Sequence, residues 1–189
     1  MSLSISMSNN QNTEAIVVLD NIRSVHNVGS IFRTSETLGI SKIFCIGTTP
    51  IPTDRFGNKR ADFAKVSLGA ENSLKWEYVE NEKSVELIKK LKKGGSIVIS
   101  LEQDEKSVDY KEVAAMLQGF ISQKKQFKQA KQKSTNVSVA IIFGNEVDGV
   151  SQELLKLSDL IAEIPMRGKK ESLNVSVSAG IFLYRLLDN

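Results

Sequence analysis

The stretch Ile141-Ile142-Phe143-Gly144-Asn145-Glu146-Val147-Asp148-Gly149 decides the fold, because an apolar run there empties into a polar turn bracketed by two glycines. Val137 to Phe143 reads as one strand, with the near-continuous hydrophobicity of a parallel strand buried on both faces. Downstream, Ile164-Pro165-Met166-Arg167-Gly168 breaks a short strand that starts at Leu160. Ser172-Leu173-Asn174-Val175-Ser176 then opens a terminal helix that is apolar nearly all round. A helix of that kind is buried in a core or against a second chain. Small polar groups therefore stand at the ends of apolar elements, which is where an open α/β sheet binds its ligands.

Working outward, the same pattern recurs. Ala15–Leu19, Lys42–Ile46, Trp76–Val79 and Ser96–Leu101 read as strands. A polar loop, Asn21–Ser30, is followed by a helical pattern at Ile31, Phe32, Ser35 and Leu38 that ends at Gly39. Helices are also expected over Lys59–Gly69, over 82–92 with Gly94-Gly95 as its stop, and over Ser151–Leu157 with Ser151 as N-cap. Strands alternating with helices predict an α/β fold, a mostly parallel sheet flanked by helices. Between Tyr110 and Asn136 an amphipathic helix gives way to Lys124, Lys125, Lys128, Lys131 and Lys133. That lysine-rich segment is either a solvated face or mobile insertion, or a basic surface that holds phosphates.

Composition sets the outer bounds. With 189 residues, 41% of them hydrophobic, the chain can bury one substantial core. A net charge of +3 is mild, so affinity for a polyanion has to come from local clustering. The single Cys45 lies in an apolar run and fits a reducing, cytoplasmic setting. No window approaches the ~20 apolar residues of a membrane span, and no signal peptide is indicated. Residues 1–13 are polar and aperiodic and are expected to be a disordered tail ahead of a single domain over 14–189.

Several chemistries lack their usual residues. Neither a Walker-type phosphate loop nor Gly-x-Gly-x-x-Gly after the first strand occurs. His26 and Cys45, the one histidine and the one cysteine, cannot make a standard zinc set, and the carboxylates show no calcium-loop spacing. No metal is expected. Taken alone, the Gly144–Gly149 turn is equally an ordinary tight turn, and Ser172 and Asn174 are equally helix caps.

Three motifs change the weighting. Asn27 with Arg33 six residues on, Phe143 to Ser151, and Ile164–Gly168 followed by Ser172–Val177 resemble the signature motifs of the SpoU (TrmH-like) family. Its members are S-adenosylmethionine-dependent RNA ribose 2′-O-methyltransferases of the SPOUT class. The resemblance implies an α/β fold with a deep C-terminal trefoil knot and a homodimer built on helices next to the knot. It also implies an S-adenosylmethionine pocket lined by backbone at Gly144, Ile164, Met166 and Leu173, and functional side chains at Asn27, Arg33, Glu146, Ser172 and Asn174. The family role for Arg33 is activation of the 2′-hydroxyl; since a guanidinium normally stays protonated, positioning that hydroxyl and a neighbouring phosphate is an alternative duty.

Flanking groups are drawn in by position. Arg23, Arg167, Lys169 and Lys170 stand beside the motifs as candidate RNA contacts, and His26 beside Asn27 is a candidate proton relay. Many ribosomal-RNA members carry a separate N-terminal RNA-binding domain that this chain is expected to lack, and compact members lack the lysine-rich segment. The substrate expected is RNA, tRNA ahead of ribosomal RNA, with a catalytically inactive RNA-binding module as the alternative.

Overall fold

The structure, a computed structural model, describes residues 13–129 and 137–187. The expected tail up to residue 12 lies outside the described residues, as do Lys131 and Lys133 of the lysine-rich segment. The described residues form seven strands: β1 Thr13–Asp20, β2 Lys42–Ile46, β3 Trp76–Val79, β4 Ile97–Leu101, β5 Val108–Asp109, β6 Val137–Phe143 and β7 Leu160–Glu163. They form one sheet in the order β3-β2-β1-β6-β4-β7-β5, and every pairing is parallel. The α/β expectation holds.

Alternate side chains of each central strand serve two different cores, which explains why the strands read as unbroken apolar runs. Val17, Leu19, Ile43, Cys45, Ile99, Ile141 and Phe143 face one cluster; Ile16, Val18, Phe44, Ile46, Val98, Ala140 and Ile142 face the other. The first face is covered by helices α1 Val25–Thr37, α2 Ala61–Ser67, α3 Ala70–Ser73, α5 Val113–Gln129 and α7 Val175–Leu187. On the second lie α4 Ser84–Lys93 and α6 Gln152–Leu155. Phe32 of α1 meets Phe63 of α2 edge-on at 5.1 Å, and Phe143 of β6 meets Phe182 of α7 at 6.5 Å. Each such pair adds about 1 kcal/mol beyond the area it buries.

The amphipathic reading of the segment after Tyr110 also holds for its first turns, where Val113, Leu117 and Ile121 recur every four residues and are fully or nearly buried. At the C-terminus, Ala179, Phe182, Leu183 and Leu186 point into the core, while Val177, Ile181 and Tyr184 stay exposed on the opposite face of α7.

Two local expectations are corrected. The segment expected to be a loop through Ser30 is already helical from Val25, because the Ser24 hydroxyl accepts the Asn27 N–H and caps the first turn. His26, Asn27 and Ser30 are the polar outer side of that helix, and their polarity disguised it as loop. Ser151 does precede α6, but its side chain makes no capping hydrogen bond; its backbone N–H is held by Asp20 instead.

A parallel sheet sends the C-terminal ends of all its strands to one edge. Asp20, Ile46, Leu101, Phe143 and Glu163 end their strands there, and both motif-bearing turns leave from that edge.

Candidate active site

The turn after β6 is built to be rigid. Asn145 and Gly149 exchange backbone hydrogen bonds of 2.9 and 3.0 Å, and the Asn145 side-chain oxygen accepts the amides of Val147 and Asp148. Its side-chain amide donates to the Asn21 carbonyl at 2.7 Å, which ties this turn to the one after β1. Gly149 takes a φ of +70°, and any side chain there would also run into Glu102. At Gly144 the constraint is space: a Cβ would overlap the backbone of Gly149 and Val150.

Two carboxylates clamp the far side of this turn. Glu102 accepts the Val150 N–H at 2.7 Å, and the buried Asp20 accepts the Ser151 N–H at 2.8 Å. Neither residue was singled out from the sequence. Their signal was there: an acidic group directly after, or ending, a buried apolar strand on the ligand-binding edge.

Around this turn lies a cavity of about 320 Å³, a size typical of small-molecule sites. Gly144, Glu146, Ile164, Met166, Ser172 and Leu173 all line it. Six of the nine residues expected to form the cofactor pocket or to act in catalysis therefore share one space, although they come from two separate turns. Leu101 and Phe143 give it apolar wall, and Glu102, Glu146, Glu163 and Glu171 give it a carboxylate lining.

A polar chain runs out from that lining. Glu146 accepts the Asn27 side-chain amide at 2.8 Å and the Arg23 backbone N–H at 3.2 Å; Asn27 in turn accepts the Asn174 amide at 3.0 Å. Asn174 also caps α7, its side-chain oxygen accepting the Ser176 N–H at 2.9 Å. The cap and the site reading thus apply to the same residue. Ser172 faces the cavity and takes no part in capping. Desolvation alone would raise the Glu146 carboxyl, but hydrogen bonds from Asn27 and from the backbone of Glu146, Arg23 and Ser24 outweigh it and hold it below the ordinary range.

Arg33 is placed elsewhere. Two turns further along α1 than Asn27, it is exposed and borders a second, more open hollow with His26, Thr37, Lys65, Leu68 and Tyr184. The motif residue expected to activate the hydroxyl is therefore not brought to the Glu146–Asn27–Asn174 chain within one copy. His26 goes with Arg33 rather than with Asn27's amide.

The flanking cations are exposed. Arg23 reaches Asp148 only at 3.8 Å, with both side chains about seven-tenths in water (67% and 73%), a pairing worth about 0–1 kcal/mol and easily exchanged for another anion. Arg167, Lys169 and Lys170 stand exposed on the loop between β7 and α7 and form no ion pair with the described residues.

A fully parallel α/β sheet with a carboxylate-lined cavity at its C-terminal edge, next to an Asn–Glu–Asn chain, belongs to the ligand-binding doubly wound class. More narrowly, the chain belongs to the SpoU rRNA Methylase family, whose sequence model matches residues 14–184. It is 33% identical over 171 residues to a protein of Archaeoglobus fulgidus named an uncharacterized tRNA/rRNA methyltransferase, covering 90% of this chain and 63% of that one. It is 30% identical to the tRNA (guanosine(18)-2′-O)-methyltransferase of Thermus thermophilus, covering 89% and 71%. Among solved structures, the S-adenosylmethionine-bound rRNA methyltransferase of Sinorhizobium meliloti superposes with a TM-score of 0.70 at 27% identity, over 93% of this chain and 56% of that one. The family resemblance carried by the three motifs is borne out. The chain spans only part of these relatives' lengths, 63% of the Archaeoglobus protein.

Proposed function

We propose that the chain is an S-adenosylmethionine-dependent RNA methyltransferase that modifies a ribose 2′-hydroxyl, with tRNA ahead of ribosomal RNA as substrate. The observation that carries this reading is the convergence of Gly144, Glu146, Ile164, Met166, Ser172 and Leu173 on one cavity. Relatives named as tRNA and 23S rRNA 2′-O-methyltransferases support the reaction class.

The cavity suits S-adenosylmethionine on its own chemistry. Backbone edges at Gly144, Ile164, Met166 and Leu173, apolar wall at Leu101 and Phe143, and four glutamates match a ligand with a flat heteroaromatic part and a cationic part. When bound, that cofactor supplies an electrophilic methyl group whose in-line transfer needs alignment rather than a metal. Among the described residues no group of three or more histidine, cysteine, aspartate or glutamate side chains is arranged to hold a metal ion.

What the protein's own groups do follows from the hydrogen bonds. Glu146, anionic through its Asn27 and amide partners, fixes the start of α1 against the turn after β6. Asn27 and Asn174 lock the start of α1 to the start of α7, so the two motif helices hold one relative position at the site's edge. Ser172 offers a free hydroxyl to the ribose from the cavity wall. Arg33 holds the target hydroxyl and a neighbouring phosphate. Arg23, Arg167, Lys169 and Lys170 take up backbone phosphates.

Arg33's separate location favours a second reading in an isolated chain, an RNA-binding module without turnover. A homodimer removes the difficulty. Tyr184 borders Arg33's hollow and continues the exposed apolar stripe of Val177 and Ile181 along α7. Pairing of two copies through that stripe puts Arg33 at their boundary, within reach of RNA held against either cavity. The C-terminal trefoil knot, by family resemblance, and a cytoplasmic setting, from the lone buried Cys45, complete the proposal. No described helix is long and apolar enough to cross a membrane.

The test is transfer of labelled methyl from S-adenosylmethionine to total RNA by the purified protein. Transfer supports the enzyme; RNA binding without transfer supports the binding module.

A further inference from the structure

We propose that the turn Thr53–Lys59, on the loop between β2 and α2, is a nucleobase-reading fingertip on which Phe56 stacks an unpaired base of the RNA while Arg55 meets its phosphate. This rests on the reading of RNA as substrate and adds a specificity element outside the three motifs.

Phe56 is 73% exposed, well beyond the most exposed tyrosines, Tyr78 at 46% and Tyr184 at 42%. A large aromatic side chain held in water at the tip of a floppy loop would need no explanation. This loop is not floppy. Asp54 accepts the amides of Phe56 and Asn58 at 2.8 and 2.9 Å, its own N–H donates to the Asn58 carbonyl at 2.9 Å, and Gly57 N–H returns to the Asp54 carbonyl at 3.0 Å. Thr53 and Lys59 pair as an antiparallel bridge below it, and Arg60 N–H donates to the buried Pro52 carbonyl at 2.9 Å. The turn thus presents one aromatic ring at little ordering cost on binding.

Its charge and position choose the occupant. Arg55 lies over one face of the Phe56 ring at 4.7 Å and forms no ion pair with a described residue, which leaves its charge available. A ring flanked by an unpaired guanidinium suits a nucleotide, base on the π-face and phosphate on the cation. The loop also starts from the ligand-binding edge. Thr49, 3% exposed, donates to the Leu19 carbonyl at 3.0 Å and accepts the Ile22 N–H at 3.1 Å, one residue before the Arg23 amide that binds Glu146. The start of the loop that carries the fingertip is therefore braced against the turn that carries the candidate catalytic chain.

The test uses the full chain, total tRNA, and a mixed-sequence single-stranded RNA 20-mer, each titrated against wild type, Phe56→Ala and Phe56→Trp. Phe56→Ala is expected to weaken binding of both RNAs roughly 5- to 100-fold with S-adenosylmethionine affinity unchanged. Phe56→Trp is expected to bind as wild type and to show fluorescence quenching on RNA addition beyond that of the wild-type Trp76. Wild-type RNA affinity in Phe56→Ala overturns the proposal, as does a fall in particle mass, which would make Phe56 a contact between copies. If Phe56→Ala loses RNA affinity while the wild type transfers no methyl group, the fingertip stands and the methyltransferase reading fails; normal transfer with unchanged RNA affinity gives the reverse.

Discussion

The two hollows of the molecule are built on different principles. The one after β6 is assembled within a single chain from turns locked by backbone and carboxylate hydrogen bonds, with Asn145, Glu102 and Asp20 each holding amides of the same loop. Arg33's hollow lies between helices α1, α2 and α7, is bordered by exposed side chains, and opens beside an apolar stripe left exposed among the described residues. The first looks finished and the second does not. A methyl donor has to be held in one geometry, so its pocket gains from preorganised backbone. In the proposed function RNA arrives from outside, and the groups that meet it gain from lying on an open surface.

That contrast is breakable. Arg33→Ala is expected to lower methyl transfer by about 10²-fold or more while S-adenosylmethionine affinity, read by calorimetry, stays at wild type. Equal loss in both measurements would join the two hollows into one site. A smaller effect is expected from Ile181→Glu on the exposed stripe of α7. Sedimentation should show one chain in place of two, and activity should recover as protein concentration rises, since association is a mass-action equilibrium.

The smallest effect is electrostatic. Glu146's carboxyl is held below its ordinary range in the folded protein, so its contribution is present above the unfolded value and lost as pH falls through the lower folded one. Glu146→Gln should therefore lower stability slightly near neutrality, with the gap to wild type closing as pH falls below the ordinary glutamate range, so that the variant's acid limb is flatter. A variant whose acid limb matches wild type would remove Glu146 from the chain linking α1 to the turn.

Much of this was legible in the residues. β2, β3 and β6 were read with their observed bounds because each is a short run rich in β-branched or aromatic residues between polar punctuation. The motif residues of the first hollow were legible through family resemblance, and the structure supplied the reason they converge: both turns leave the same sheet edge. What escaped has physical causes. β5 is two residues long and α3 four, too short for any period to show. The start of α1 was hidden because a polar first turn capped by Ser24 resembles a loop. Asp20 and Glu102 were passed over because an acidic residue after a strand looks like surface until its acceptor oxygens are seen on Ser151 and Val150. Arg33's separation from Glu146 is a property of where α1 carries it, which a motif does not encode.

The most direct measurement is alkaline hydrolysis of total RNA labelled by the purified protein with methyl-labelled S-adenosylmethionine. A 2′-O-methyl ribose blocks cleavage of the following phosphodiester, so the label should be recovered in alkali-resistant dinucleotides. Label released in mononucleotides, or no label in RNA at all, would contradict ribose methylation by this chain.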